Sequence, residues 1–537
     1  MSDAIDPVEL AVFQNAMTSI AEEMGAALRR SAVSPNIKER RDYSCAIFDD
    51  EARVIAMGDH MPVHLGSMPM SVAAAIHSLT LHSGDIVILN DPYAGGTHLP
   101  DITMVMPVFT STEDKPSFYV ATRAHHSDVG GMFAGSMGPA REIFQEGIRI
   151  PPLHIVRAGT IQADILRLIL LNVRTPIERE GDLAAQIGAC RIGEQRLLQL
   201  RERSTQTHLR YLSDQLINYS ERLVRAELRS LSAGEYAAED FLDDDGVSSD
   251  RIRIAVSLRV DPVAETLEVD FSGTSNQVRG SVNAVRAITL SACLYVLRCL
   301  LPNGSPTTAG TLRPLKLMTP QRSVVDAEPP AAVAGGNVET SQRIVDTILR
   351  ALAQAAPDRI PAASAGTMSN LTIGGVDSRT RIPFTYYETI AGGMGGGPFR
   401  EGTSGVHTHM TNSLNTPIEA LEFAYPLRMT RYAYRSGSGG SGMLRGGDGL
   451  IREFELLTDS QVTLLCDRQT SSPYGLGGGS AGASGRVEAQ LPGELASSPL
   501  AAKSSQYLPT GTILRIETPG GGGWGTELLQ EKSRELE

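Results

Sequence analysis

The hydrophobic positions of the first thirty residues follow the period of an α-helix. Apolar residues recur at steps of three and four, so they form one stripe that a core would cover. They are Leu10, Phe13, Met17, Ile20, Met24 and Leu28. Asp6 suits the N-cap position, Pro7 suits the first turn, and Ser34-Pro35 should end the helix. The pattern predicts one amphipathic helix over residues 6–31.

Strand and helix patterns alternate along the rest of the chain. Short apolar runs, several with a period of two, predict strands within residues 43–57, 85–89, 118–124, 252–260, 267–271, 462–465 and 513–516. Helical spacing predicts helices at 71–79, 182–231 with a break near Ser204-Thr205, 283–302 and 338–356. The fold class expected is α+β: a large, mixed, multi-domain fold.

Changes in composition suggest four parts. Residues 1–235 should hold an N-terminal α/β region with the catalytic or metal site, followed by a helical segment. Residues 236–330 should form a β-hairpin and a helix, 331–525 a glycine-rich, β-containing C-terminal region, and 526–537 a charged tail. The chain has 53 glycines in 537 residues, and their clusters predict tight turns and close backbone approaches rather than a phosphate-binding loop.

The net charge of the chain limits the kinds of macromolecule that it is expected to bind. With 48 basic and 61 acidic residues the net charge is −13, and such an acidic surface repels the phosphates of nucleic acids. The five cysteines are far apart and form no CxxC motif, which favours a reduced, cytoplasmic protein over a disulfide scaffold. We see no signal peptide and no apolar run of about 18 residues, so a cytoplasmic location without membrane contact is expected.

Histidines cluster in the N-terminal region, in the stretch between residues 59 and 126. His98 and Asp101 stand three apart in the run THLPD (97–101), directly after the turn Gly95-Gly96. Imidazole nitrogens and carboxylate oxygens are common ligands for Zn²⁺, Mn²⁺ and Fe²⁺. A metal site is one interpretation, and separately hydrogen-bonded residues are the other.

A second histidine motif follows an apolar strand. His125 and His126 are adjacent, and neighbouring residues in a strand point to opposite faces. One of them should therefore enter the site while the other braces it. Asp42, at the entrance of an earlier strand, is a further carboxylate. If these side chains share one ion, the strands ending near Asn90 and Ala124 must be neighbours.

The other sequence motifs give weaker evidence for a catalytic or binding site. The chain has neither GxxxxGK[ST] nor HExxH, so a P-loop and a zincin site lack support. His407 and His409 would share one face of a strand, and satisfied core histidines are favoured there over a second polar site. Cys45 and Cys190 are expected to be buried, small apolar residues.

A series of motifs, taken in order, resembles the signatures of the hydantoinase B/5-oxoprolinase family. They cover nearly the whole chain and include RRDYSCAIFD, NDPY, GGTHLPD and RAHHSDVGG. Their positions are 40–49, 90–93, 95–101, 123–131, 172–176, 181–183, 270–274, 335–340, 405–412 and 445–449.

The resemblance implies a B (β) subunit that works in a hetero-oligomer with an A-type, ATP-binding subunit. Such pairs open cyclic amides such as hydantoins, 5-oxoproline or lactams. The A subunit is expected to phosphorylate the amide oxygen, and the B-type chain then completes hydrolysis with a divalent metal ion, Zn or Mn, or else Mg or Fe. A metal ion can lower the pKa of a water molecule to about 7, which makes that water a nucleophile for the ring carbon.

The resemblance also implies the site residues. It places the catalytic residues and metal ligands at Asp42, His98, Asp101, His125 and His126, with the choice between the two histidines open. ATP would be bound by the partner subunit. Related large subunits of acetone and acetophenone carboxylases make an ATP-dependent ketone carboxylase the alternative function, and a non-catalytic scaffold for the A subunit is a second alternative.

Overall fold

Helices and several separate sheets mix along the chain, which confirms the α+β expectation. The computed structural model describes residues 6–58, 60–110 and 115–526, so all of the predicted tail except Thr526 lies outside the described residues. The helices are α1 (Pro7–Ser31), α2 (Pro35–Lys38), α3 (Ser67–Ser78), α4 (Ala163–Leu171), α5 (Pro176–Glu202), α6 (Gln206–Arg229), α7 (Arg286–Leu300), α8 (Ser341–Ala355) and α9 (Ile418–Ala424). None of these helices is long and apolar enough to cross a membrane.

The strands fall into four sheets within the same ranges. They are β1 (Tyr43–Asp49), β2 (Val54–Met57), β3 (Ile86–Leu89), β4 (Asp101–Val108), β5 (Phe118–His125), β6 (Leu153–Arg157), β7 (Thr160–Ile161), β8 (Gly234–Leu242), β9 (Ile252–Asp261), β10 (Thr266–Asp270), β11 (Leu315–Met318), β12 (Asn370–Val376), β13 (Pro383–Thr389), β14 (Leu427–Arg435), β15 (Gly449–Leu456), β16 (Ser460–Leu465), β17 (Arg486–Gln490), β18 (Ser498–Pro499), β19 (Lys503–Leu508) and β20 (Ile513–Glu517).

The first helix forms as the apolar stripe predicts. The Asp6 side chain caps α1 by accepting a hydrogen bond from the Val8 N–H, and the six residues of the stripe are buried. The predicted break in the helical middle is confirmed, because α5 ends at Glu202 and the Thr205 hydroxyl caps α6. These helices pack over the N-terminal sheet and cover one side of it.

The N-terminal sheet has the order β2-β1-β5-β4-β3-β6-β7. The expectation that the strands ending near Asn90 and Ala124 are neighbours is wrong, because β4 lies between them and pairs antiparallel with both. This strand begins at Asp101 and contains Pro107, a residue that weakens a strand signal in the sequence. The insertion of β4 places Asp101 directly opposite His125 in the register.

The glycine clusters form a bundle of backbone segments in the C-terminal region. Segments 392–397, 439–447 and 520–523 exchange hydrogen bonds, such as Gly440 N–H to Gly521 O at 2.8 Å and Gly396 N–H to Gly522 O at 2.8 Å. A Cβ atom on Gly521 would lie 2.1 Å from the carbonyl oxygen of Met394. The glycines are therefore explained by close backbone approach.

Two glycine-to-alanine substitutions should have opposite effects on stability. Gly521→Ala places a methyl group against backbone that cannot yield, so we expect the free energy of unfolding to fall by about 2 kcal/mol or more. Gly188→Ala lies in α5 with nothing within 4 Å of the new Cβ. It should raise the free energy of unfolding by about 0.5–1 kcal/mol, since glycine weakens a helix interior. Urea unfolding followed by circular dichroism measures both, and an unchanged midpoint for Gly521→Ala would contradict the bundle argument.

Candidate active site

Antiparallel pairing brings the predicted residues to one end of the N-terminal sheet. Strand β4 starts at Asp101 and β5 ends at His125, opposite each other. Strand β1 pairs on the other side of β5, and the His125 N–H donates to the carbonyl oxygen of Asp42 at 3.0 Å. His98 precedes β4, after a turn in which Gly95 has a φ of +86°. Residues far apart in sequence thus meet at one corner.

The Asp101 carboxylate is the centre of the arrangement. Its Oδ2 atom lies 3.1 Å from Nδ1 of His98 and 3.3 Å from Nε2 of His64, and all three side chains are at most 1 % exposed. In the described residues, Nε2 of His64, Nδ1 of His98 and Oδ1 of Asp101 have no hydrogen-bond partner, whereas Oδ2 of Asp101 accepts a hydrogen bond from the Thr97 hydroxyl. Two imidazole nitrogens therefore lie close to one carboxylate oxygen, and all three atoms are of the types that bind cations.

His125 adds a further nitrogen beside this group. Its ring centroid lies 5.0 Å from that of His98, and its Nε2 atom is buried without a hydrogen-bond partner. The ring is held on two sides. Nδ1 lies 3.1 Å from the amide nitrogen of Asn36, and Tyr387 stacks against the ring at 4.4 Å.

His126 lies apart from this group. Its Nε2 atom pairs with Oε1 of Gln186 on α5 at 2.9 Å. Burial lowers the pKa of His126 to about 4, so the ring is neutral near pH 7. The structure therefore brings Asp42, His98, Asp101 and His125 together, and it places His126 against the helix that covers the sheet.

Among the described residues, no lysine or arginine forms an ion pair with Asp42 or Asp101. Burial raises the pKa of Asp42, against the opposing effect of Arg40. Burial also acts to raise the pKa of Asp101, but the adjacent imidazoles, His98 first, hold that pKa well below its usual range. Burial keeps the pKa of His125 well below its usual range, so this ring is neutral and can offer a lone pair.

These donors fit a metal ion in chemistry, although no complete cage is present. In the described ranges no group of three or more His, Cys, Asp or Glu side chains is arranged so that it could hold a metal ion as it stands. However, the donors of a tetrahedral ion with bonds of about 2.0–2.1 Å lie about 3.3 Å apart. The two distances from Oδ2 of Asp101 to the nitrogens of His98 and His64 are close to that value, and imidazole nitrogens and carboxylate oxygens are the atom types that Zn²⁺ or Mn²⁺ selects.

Sequence reasoning missed several residues that shape this site. His64 belongs to the histidine-rich stretch but lies in a short 3₁₀ turn, where its Nδ1 is 2.8 Å from the Ser44 hydroxyl. The side-chain nitrogen of Asn337 lies 3.4 Å from Nε2 of His98, at the start of a π-helical turn over Gly336–Thr340. Such turns often occur at functional sites, and the run GGNVET (335–340) was the available signal.

Glu146 connects the loop after β5 to the segment that carries Asn337. Its Oε1 atom accepts hydrogen bonds from the N–H groups of Val333 at 2.9 Å and Ala334 at 2.8 Å. No cation pairs with this carboxyl group in the described residues, and burial raises its pKa to about 8. Near pH 7 the side chain is therefore mainly protonated.

Replacing Glu146 should change how stability depends on pH. The unfolded chain releases this proton near pH 4.5 and the folded chain near pH 8, so wild-type stability should fall as the pH rises between these values. Glu146→Gln keeps the acceptor oxygen and removes the titration. We expect it to match the wild type near pH 4.5 and to exceed it by up to about 5 kcal/mol at pH 8, at about 1.4 kcal/mol per pKa unit. Urea unfolding at several pH values tests this, and parallel curves would contradict it.

Comparisons with known proteins agree with the motifs. The family model described as Hydantoinase B/oxoprolinase matches residues 6–527. The chain is 37% identical to 5-oxoprolinase 1 of Arabidopsis thaliana, over 97% of this chain and 42% of that protein. It is 30% identical to a putative D-/L-hydantoinase B-type subunit of a Pseudomonas species, strain NS671, over 99% of this chain and 92% of that one.

A solved structure shows the same architecture. The crystal structure of the ATP-dependent caprolactamase from Pseudomonas jessenii superimposes with a TM-score of 0.91 at 26% identity, over 98% of this chain and 92% of that chain. This chain spans less than half of the length of the plant 5-oxoprolinase and nearly all of the length of the bacterial hydantoinase chain. The chain belongs to the hydantoinase B/oxoprolinase family.

Proposed function

We propose that this chain completes the ATP-dependent opening of a cyclic amide that a separate A-type subunit has activated. The observation that carries the proposal is the buried group of Asp101, His98, His64 and His125, in which one nitrogen or oxygen atom of each side chain has no hydrogen-bond partner. A group of this kind is costly to bury unless it serves a ligand. This cost disfavours a chain that only scaffolds its partner.

The compared proteins support the choice of reaction. Their names describe a 5-oxoprolinase, a hydantoinase and an ATP-dependent caprolactamase, and the substrates that these names indicate are all cyclic amides. An amide is a poor electrophile, so its oxygen must be converted into a better leaving group before water can attack the ring carbon. ATP-dependent phosphorylation of that oxygen meets this requirement.

The donor set suits a divalent ion in the site. His98, Asp101 and His125 would hold it together with His64 or Asp42, and the two carboxylates would balance its charge. Such an ion, when bound, supplies Lewis acidity and lowers the pKa of water. The protein's own part is to keep these donors in place. Asn36 and Tyr387 fix the ring of His125, while Ser44 fixes the ring of His64.

The same comparisons support a separate partner subunit. The name of the bacterial relative describes one subunit, of type B, and the plant 5-oxoprolinase contains more than half of its length outside the matched region. We propose that a separate A-type chain supplies ATP binding here, in a hetero-oligomer with this one.

Substitutions at the site should remove the metal ion. His98→Ala deletes an imidazole nitrogen donor, and Asp101→Asn removes a charge while nearly keeping the side-chain shape. We expect each variant to lose bound Zn or Mn and cyclic-amide turnover in the presence of the A subunit and ATP, while circular dichroism still shows a folded chain. Metal content is measured by inductively coupled plasma mass spectrometry.

A matched control distinguishes the loss of a metal ligand from the loss of a histidine that binds no metal. His82→Ala removes an imidazole that is 75% exposed, so metal content and turnover should stay at wild-type values. Full metal content in both His98→Ala and Asp101→Asn would exclude the metal proposal.

The assignment of ATP binding to the A subunit predicts whether the isolated chain can hydrolyse ATP. Without the A subunit it should not hydrolyse ATP, with or without a cyclic amide. A phosphate-release assay on the purified chain, repeated after addition of the A subunit, tests this. ATP turnover that depends on the amide and needs no A subunit would contradict the two-chain proposal.

A further inference from the structure

A cavity of about 470 Å³ has Pro62, two residues before His64, in its lining. It is enclosed by the end of α7, by α8 and by the loop 406–412, and most of its wall is apolar. The apolar lining includes Leu300, Leu349, Ile360, Pro361, Met394 and Val406. Cavities of this size bind small molecules, whose apolar parts pack on such walls.

Two histidines give the cavity a polar side. His409 is 7% exposed, and its Nε2 atom lies 3.3 Å from Oδ1 of Asp346, yet neither atom has a hydrogen-bond partner. Nε2 of His407 is also buried without a partner. The expectation that the two histidines share one face of a strand is wrong, because both residues lie in a loop outside any described strand.

The backbone at His409 points to a role beyond packing. Its φ is +60°, a left-handed conformation that costs of order 1 kcal/mol for a residue with a Cβ atom. The other ring nitrogen, Nδ1, lies 3.4 Å from the Tyr295 hydroxyl. The chain thus holds this imidazole in a strained position between Tyr295 and Asp346, where glycine would be easier to accommodate.

Polar contacts connect the cavity to the active site. Thr411 lines the cavity, and its hydroxyl lies 3.0 Å from that of Ser413, which accepts a hydrogen bond from Arg40 at 3.2 Å. Arg40 also donates to the side-chain oxygen of Asn36, whose nitrogen contacts His125. Pro62, which precedes His64 by two residues in the sequence, also lines the cavity. These contacts link the lining of the cavity to His125 and His64 of the Asp101 group.

The rim of the cavity carries a cation that is not neutralised. Arg400 is exposed, and no described carboxylate lies within ion-pair distance of its guanidinium group. Arg359, the other arginine of the lining, is already paired with Glu227 at 2.8 Å. An arginine without a partner at the edge of an apolar chamber suits a ligand that has an apolar body and one anionic group.

We propose that this cavity receives the cyclic amide in its O-phosphorylated form, with the ring on the apolar walls and the phosphoryl group on Arg400. His407 and His409 face the amide atoms of the ring and can pair with them. This assignment rests on the proposed function and deepens it, since it identifies the chamber in which the activated substrate waits beside the Asp101 group.

Binding of the two halves of this ligand can be tested on the full chain without ATP or the A subunit. The probes are 2-pyrrolidinone, observed by saturation-transfer NMR, and inorganic phosphate, observed by ³¹P line broadening. We expect both to bind the wild type. Met394→Trp should fill the chamber and abolish the pyrrolidinone signal. Arg400→Gln should keep that signal and weaken phosphate binding by about ten-fold.

Matched controls place the same changes elsewhere on the surface. Met318→Trp lies at the end of β11 and Arg431→Gln on β14, and both side chains are exposed away from the cavity. They should behave like the wild type. The proposal is overturned if the wild type gives no pyrrolidinone signal, if Met394→Trp retains it, or if phosphate broadening is the same in Arg400→Gln.

A second measurement needs no variant at the ligand contacts. Cys299 lines the cavity and is exposed, whereas the other four cysteines are buried. N-ethylmaleimide should therefore modify Cys299, and 2-pyrrolidinone should slow this modification, as read by mass spectrometry. Unchanged labelling would contradict the proposal. Metal content and ATP-coupled turnover of the same sample are independent readouts, so the cavity assignment can fail while the proposed function stands.

Discussion

The site depends on one buried carboxylate that needs a positive neighbour. Asp101 is 1% exposed, and burying an ionised carboxylate without a compensating charge costs several kcal/mol. The groups that face it are imidazoles, His98 and His64, and they do so without hydrogen-bond geometry. The antiparallel pairing of β4 with β5 then adds His125 to the same corner. The Thr97 hydroxyl donates to Oδ2 of this carboxylate, and the buried Arg123 also interacts with its charge. A divalent ion would add a partner for the nitrogens and for Oδ1, which have none.

The C-terminal half of the chain completes a site that the N-terminal sheet begins. Tyr387, on β13, stacks on His125, and the π-helical turn before α8 brings Asn337 to His98. Buried ion pairs lock these parts together, since Arg343 on α8 binds Asp240 at 3.1 Å and Asp467 at 3.0 Å. The glycine bundle extends this arrangement to the cavity, because it fixes the backbone of Met394, a residue of the cavity wall.

Local patterns in the sequence account for much of the fold. The helix at 7–31 and the break between α5 and α6 follow from apolar periodicity and capping residues, which act within a few positions. Strand β4 is not predicted from the sequence, because Pro107 and the preceding turn interrupt the apolar pattern that indicates a strand. His64 cannot be assigned to the site from its neighbours in sequence, because its contact with Asp101 depends on how a turn packs against a sheet. The geometry of His409 likewise arises from packing that no local pattern specifies.

The central claim is that Asp101, His98 and His125 share one divalent ion. X-ray absorption spectroscopy of the protein loaded with one equivalent of Zn²⁺ tests it most directly. The account predicts nitrogen and oxygen ligands at about 2.0–2.2 Å, with outer-shell scattering from at least two imidazole rings. A first shell of water oxygens without imidazole scattering, or a spectrum unchanged in His98→Ala, would contradict it.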